Sequence, residues 1–340
     1  MKRYTRFVVL FVLVMALVVP TFAHAQDMPC YGLSASDCDL FYKTGTTSSE
    51  VTSAAISYNI NAVGPDFELA SSASGSFSFN AEAADPMTAL SMALDGELSG
   101  SGSGESESAS FSVRIIDGVV YVSDGTAWQF IALKDMLAAM GIPLDPSMLL
   151  GDMSTETDPM AEAMMSEFGA MMESHITLTR GADETIDGNT VAVFNMSIDL
   201  AGLFTDTSMT DSLGSIIGMA MAASGGAGVD AGVDMESLNQ MMPMMTQLFG
   251  MLFADSELTI TTKVGVDNGY PYGFGIDFAM TLDPMMMASL TGAPPDAEAE
   301  PIDILFSLSV DMTQHNGSFS YEAPADATPM DPSIFGMPGL

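Results

Sequence analysis

Positive charge is what this chain has least of. Eight Lys and Arg stand against 44 Asp and Glu, for a formal net charge of −36 at pH 7. A surface this negative repels phosphate backbones and anionic headgroups, which excludes a nucleic-acid partner. Cysteine occurs twice in 340 residues, too seldom for a disulfide-dense scaffold or a Cys-based zinc site. Histidine occurs three times, and there is no Gly-x-Ser-x-Gly elbow, His-Glu-x-x-His pair or Gly-Lys-Ser/Thr phosphate loop. An Asp-x-Asp-x-Asp-Gly calcium loop is missing as well. These absences argue against an enzyme, and they imply no cofactor. Apolar residues are plentiful at 48%, enough for a core and incompatible with global disorder.

Residues 1–25 read as an address. Lys2, Arg3 and Arg6 precede an unbroken apolar run from Phe7 to Val19, Pro20 ends it, and Ala23-His24-Ala25 supplies the small-x-small pattern of signal peptidase sites. Cleavage is expected between Ala25 and Gln26, giving a periplasmic or extracellular protein. Cys30 lies too far past that cut to form a lipobox. No later stretch of about 20 apolar residues is free of charges and turn formers, so no stable membrane span is expected in the mature chain. That chain keeps Lys43, Arg114, Lys134, Arg180 and Lys263 against all 44 acids. Such acidity suits cation-rich surroundings, with cations held on the surface, or it reflects a compositional bias. In residues 26–48, Cys30 and Cys38 are close enough to form a small disulfide loop in an exported protein. Ser36 or Asp37 is a candidate cap for a short helix through Leu40, Phe41 and Tyr42.

From about residue 49 to 323 the dominant period is two, the mark of half-buried antiparallel strands. Ile56, Tyr58 and Ile60 alternate with Ser57, Asn59 and Asn61; Phe111, Val113 and Ile115 alternate with Ser110, Ser112 and Arg114. Later come Leu258, Ile260, Thr262 and Val264, then Phe274, Ile276, Phe278 and Met280, then Ile302 to Val310 at every second residue. Asp117-Gly118, Asp124-Gly125, Asp187-Gly188, Asn268-Gly269 and Asn316-Gly317 are turn signals between such runs. The last of them leads to an expected strand with Phe319 and Tyr321. About ten strands in sequential hairpins predict a large antiparallel sheet with one polar and one apolar face. Residues 324–340 read as a loose tail.

Two stretches at about 133–174 and 203–253 break the period and read as helical insertions. Asp158-Pro159 suits an N-cap and first helical position, followed by Met160, Met164, Phe168 and Met171 on one face. Leu238, Met241, Met245, Leu248 and Leu252 mark another helix, apolar nearly all round and therefore either deeply buried or covering something greasy. The chain has 31 methionines, crowded into 136–172, 219–251 and 285–287. Either methionine replaces leucine in an ordinary core, or it forms a soft wall against an apolar ligand. Trp128, Phe130, Met164, Phe168, Met245 and Phe249 are the candidate lining residues, and each is equally compatible with plain core. His175 and His315 read as strand-end or turn residues rather than general bases.

Several phrases resemble a known family. Val113-Arg114-Ile115-Ile116-Asp117-Gly118-Val119-Val120-Tyr121-Val122 with Gly125-Thr126-Ala127-Trp128 resembles the hairpin ending in a Gly-x-x-Trp strand of the LolA/LppX-type lipid-carrier half-barrels. Thr185-Ile186-Asp187-Gly188-Asn189-Thr190 resembles the turn after that family's first insertion, and Tyr321-Glu322-Ala323-Pro324-Ala325 its closing strand. The resemblance implies an α+β fold: a large curved antiparallel sheet, an open half-barrel, with two helical insertions covering its concave face. It implies a lipid or other apolar small molecule as partner, held without covalent chemistry. The alternative reading is an acidic envelope-associated structural or cation-binding module without a ligand pocket.

Overall fold

The computed structural model describes residues 30–102, 105–139, 174–206, 246, 248–284 and 300–331. Alternation of apolar and small polar residues becomes strand after strand of a single sheet. In chain order these are β1 (Ser53–Gly64), β2 (Phe67–Phe79), β3 (Leu90–Gly102), β4 (Glu105–Ile116), β5 (Val119–Ser123) and β6 (Trp128–Ala132). After residue 173 come β7 (Ile176–Arg180), β8 (Glu184–Ile186), β9 (Asn189–Ile198), β10 (Ser256–Gly265), β11 (Pro271–Leu282), β12 (Ile302–Thr313) and the short β13 (Thr328–Pro329).

The spatial order is β13-β6-β5-β4-β3-β2-β1-β12-β11-β10-β9-β7, with β8 also on β9. It amounts to a meander of β1–β6 beside a meander of β7–β12, joined where β1 pairs β12 antiparallel from Ala55↔Thr313 to Val63↔Leu305. The pairs within each meander are antiparallel, and β13 lies parallel to β6. The order ends on β7 and β13, which do not pair with each other, so the sheet is open rather than a closed barrel. Two tight turns follow from local chemistry. Asp117-Gly118 and Asp187-Gly188 both hold positive φ at each position, as a two-residue hairpin turn of the twist-matched kind requires. In β2, a Cβ on Gly75 would sit 1.8 Å from the carbonyl oxygen of Ala93, so the strands approach more closely there than any side chain permits.

Among the described residues, three α-helices with defined ends accompany the sheet. α1 (Ala35–Thr47) is capped by Ser34, whose hydroxyl accepts from the Asp37 N–H. The cap is therefore earlier than the expected Ser36 or Asp37: Asp37 is already in the first turn, where its carboxylate also accepts from the Ser34 hydroxyl at 2.8 Å. Cys30 and Cys38 form the expected disulfide, Cα atoms 5.5 Å apart, tying the chain ahead of α1 to its first turn. α2 (Leu133–Ala139) follows β6 directly and buries Met136 and Leu137. α3 (Leu200–Thr205) follows β9 and is capped by Asp199, which accepts from the Gly202 N–H. Of the two expected helical insertions, α2, α3 and helical residues 248–252 fall within the described residues; the Asp158-Pro159 cap lies outside them. The expected strand through Phe319 and Tyr321 is absent. The flanks of β12 are already taken by β1 and β11, which leaves no edge for a further hairpin partner.

A sheet with two faces

Residues paired across antiparallel strands point to the same side, so the register assigns each side chain to a face. One row reads Leu178, Met196, Ile260, Ile276, Leu308, Ile60, Ser71, Leu98, Ala109 from β7 to β4. The next reads Ile176, Ile198, Leu258, Phe278, Phe306, Ala62, Leu69. The alternate rows are of the other kind: Thr179, Asn195, Thr261, Gly275, Ser309, Asn59, Ser72, Glu97, Ser110. One face is thus apolar nearly from edge to edge, and the other is built of hydroxyls, amides and carboxylates.

Helices cover the apolar face at its two ends. On the β7–β9–β10 side, Leu40 and Phe41 of α1 pack against buried Leu178, Ala192, Phe194 and Val264. Arg180 fixes α1 there: its guanidinium bonds Asp37 of the helix and Asp183, and lies 5.5 Å from the centre of the Phe194 ring. The Ser34 hydroxyl and the Arg180 guanidinium hold the Asp37 carboxyl below its ordinary range. On the β3–β6 side, Met136 and Leu137 of α2 join a buried cluster with Leu94, Val113, Val120 and Ile131. Between these ends, Leu258, Phe278, Met280, Ile302 and Ile304 are only half-buried, although all sit on the apolar parity of β10–β12. Where β9 runs out and β10 begins, the Phe204, Phe249 and Phe253 rings form a stack with centroids 5.0 to 6.4 Å apart.

Of the six candidate lining residues, the structure puts three in view and separates them. Phe249 belongs to that phenylalanine stack. Trp128 and Phe130 lie on the polar face: Trp128 continues the row Ser57, Ser74, Asp95, Ser112, Ser123, and Phe130 the row Arg114, Tyr121. The apolar parity of β6 is carried by Ile131, buried opposite Val120. Met164, Phe168 and Met245 lie outside the described residues. Phe278, Met280 and Ile304, which are not among the candidate lining residues, carry the signal for this face in their period-two spacing.

Both described histidines are accounted for structurally. His175 Nε2 lies 3.1 Å from an Asp206 carboxylate oxygen, and His315 Nε2 lies 2.7 Å from the carbonyl of Pro271, beneath Tyr272. Burial holds the His315 imidazole below its ordinary range, although the Pro271 carbonyl and Asp187 favour its charged form. Among the described residues no group of three His, Cys, Asp or Glu is arranged to hold a metal. No described helix is long and apolar enough to cross a membrane.

No family model matches the chain, and no curated protein matches it in sequence. Among solved structures it is similar to the Mycobacterium tuberculosis lipoprotein LppX, at 10% identity and a TM-score of 0.33, over 83% of this chain and 96% of that one. It is likewise similar to LprF from Mycobacterium bovis, at 10% identity and a TM-score of 0.34, over 84% and 96%. LppX gives its name to the family that the sequence phrases resemble.

Proposed function

We propose that this protein is exported and that it binds and carries a lipid or other apolar ligand, without covalent chemistry. The observation that supports this is an apolar face that, among the described residues, helices cover only at its two ends. Fully burying a Leu, Ile, Met or Phe side chain is worth about 1.5–3 kcal/mol. Leaving Leu258, Phe278, Met280, Ile302 and Ile304 half-covered forgoes part of that gain at each position. An acyl chain laid across β10–β12 recovers it, with Phe306 and the stack around Phe249 as its neighbours.

The direct test is extraction and native mass spectrometry of protein purified from its source, followed by titration of the stripped protein with a fluorescent fatty acid. Phe278→Asp places a charge on the proposed floor and abolishes uptake. Asp277→Asn, one residue away on the opposite face, leaves uptake unchanged. Source protein that carries no lipid and takes up no fatty acid would sink the proposal. Intact mass of the same preparation reads the expected start at Gln26.

A further inference from the structure

A depression lies on the other side of the sheet, and nothing in the lipid reading uses it. It is a groove of about 380 Å³ running across β1, β2, β3 and β4. One bank is Asn59, Ser72, Glu97 and Ser110; the other is Asn61, Ala70, Ser99 and Ser108. The intervening Ile60, Ser71, Leu98 and Ala109 turn their side chains to the apolar face, so they supply a backbone floor. Four strands at about 4.8 Å spacing make the groove roughly 14 Å long. Among the described residues, no side chain of Asn59, Asn61, Ser72, Glu97, Ser99, Ser108 or Ser110 hydrogen-bonds another, so their donors and acceptors face the groove unspent. Elsewhere on this face such groups are used internally, as in Asp95 with Ser112 and Arg114, or Thr261 with Asn195.

A second observation points the same way. The β5–β6 turn abuts the groove's β4 end, where a Cβ on Gly125 would meet the Ser110 hydroxyl at 2.5 Å. That turn leads into Trp128, the only tryptophan of the chain, half-exposed on the polar face. One side of its indole carries the Arg114 guanidinium at 5.4 Å, and that charge is neutralised by a bidentate pair with Asp95. Tyr121 and Phe130 stand beside it, ring centres 6.1 Å apart.

We infer that this face is a second binding site, for an extended neutral saccharide. Amides and hydroxyls both donate and accept, as a polyol demands, and the Glu97 carboxylate accepts from paired hydroxyls. Aromatic side chains supply the flat apolar surface on which the C–H face of a sugar ring rests. No unpaired cation lines the groove, and the chain's net charge of −36 repels acidic polymers, so the occupant is neutral. The site lies opposite the proposed lipid floor and does not depend on it.

Native electrophoresis of the full protein through gels containing single polysaccharides tests this, because its charge drives it readily towards the anode. The neutral probes are dextran, soluble starch, mannan, galactomannan and hydroxyethyl cellulose; the acidic ones are alginate and dextran sulfate. At least one neutral polymer retards the protein and neither acidic polymer does. The double variant Asn59→Ala/Asn61→Ala, exposed and without a structural hydrogen bond to lose, weakens retardation about tenfold, the loss of roughly two hydrogen bonds. Trp128→Ala weakens it as well, and Phe278→Asp leaves it intact while removing fatty-acid uptake. Migration unaffected by every neutral polymer, retardation unchanged in the asparagine variant, or retardation confined to the acidic polymers would each overturn the inference.

Discussion

The Phe41 ring meets the Phe194 ring edge-on, centroids 5.3 Å apart at an interplanar angle of 70°. Through this pair α1 is seated on the apolar face, and Phe194 becomes one of the most deeply buried side chains in the sheet. Phe194→Ala leaves a cavity lined by both the helix and the strands, at a cost of about 3–5 kcal/mol. Phe41, being half-buried, costs less on truncation, about 2 kcal/mol. Denaturant unfolding of the two variants checks the order. Additive losses in the double variant Phe41→Ala/Phe194→Ala would mean that α1 and the sheet do not share this contact.

The disulfide reinforces the same junction. Cys30 and Cys38 close a loop with a sequence separation of 8, for which chain entropy predicts a contribution of about 2–3 kcal/mol. The double variant Cys30→Ser/Cys38→Ser therefore melts at a lower temperature than the oxidised protein. Reductant lowers the melting temperature of the parent and leaves that of the double variant where it was.

Acid acts in two windows. His315 is held below its ordinary value of 6.5 in the fold, so the unfolded chain binds its proton first. Stability falls as pH drops below about 6.5 and levels once the folded state is protonated too. Asp37 is held below its ordinary 3.8. Its contribution is complete above that value and is lost as pH falls through the depressed folded value. His315→Gln, which keeps a donor towards the Pro271 carbonyl, flattens the upper step. Asp37→Asn flattens the lower one. Stability profiles of the three proteins between pH 8 and the onset of acid unfolding distinguish these assignments.

Two glycines of neighbouring strands respond oppositely to a methyl group. Gly75→Ala drives a Cβ into the Ala93 carbonyl, which backbone cannot yield cheaply, and destabilises by several times the usual strand penalty. Gly100→Ala meets nothing nearer than 3.7 Å and is neutral or slightly stabilising. Melting temperatures of the pair decide it.

The strands were legible because small polar residues separate apolar ones along most of their length, and the Asp-Gly turns announced where they reverse. Which side an aromatic faces was not legible in β5 and β6. Val119, Val120, Tyr121 and Val122 are apolar on both parities, as are Trp128, Phe130 and Ile131. Parity there is fixed by pairing with β4, where only Val113 and Ile115 against Ser112 and Arg114 break the tie. Phe319 and Tyr321 fail for a different reason: alternation proposes a strand, but a strand also needs a vacant neighbour. The groove could not be read from sequence at all, because Asn59, Ser72, Glu97 and Ser110 become neighbours only through registers that span four strands.

The seam between β1 and β12 sets a timetable. Residues 53–64 near the start of the chain pair at once with β2 on one side, but on the other side their partner is residues 302–313, so that flank of β1 waits bare while almost everything else is synthesised. Contacts so distant in sequence close slowly. Until that final strand arrives, β1 presents an uncapped row of backbone donors and acceptors to its surroundings, a vacant edge on which another strand can pair.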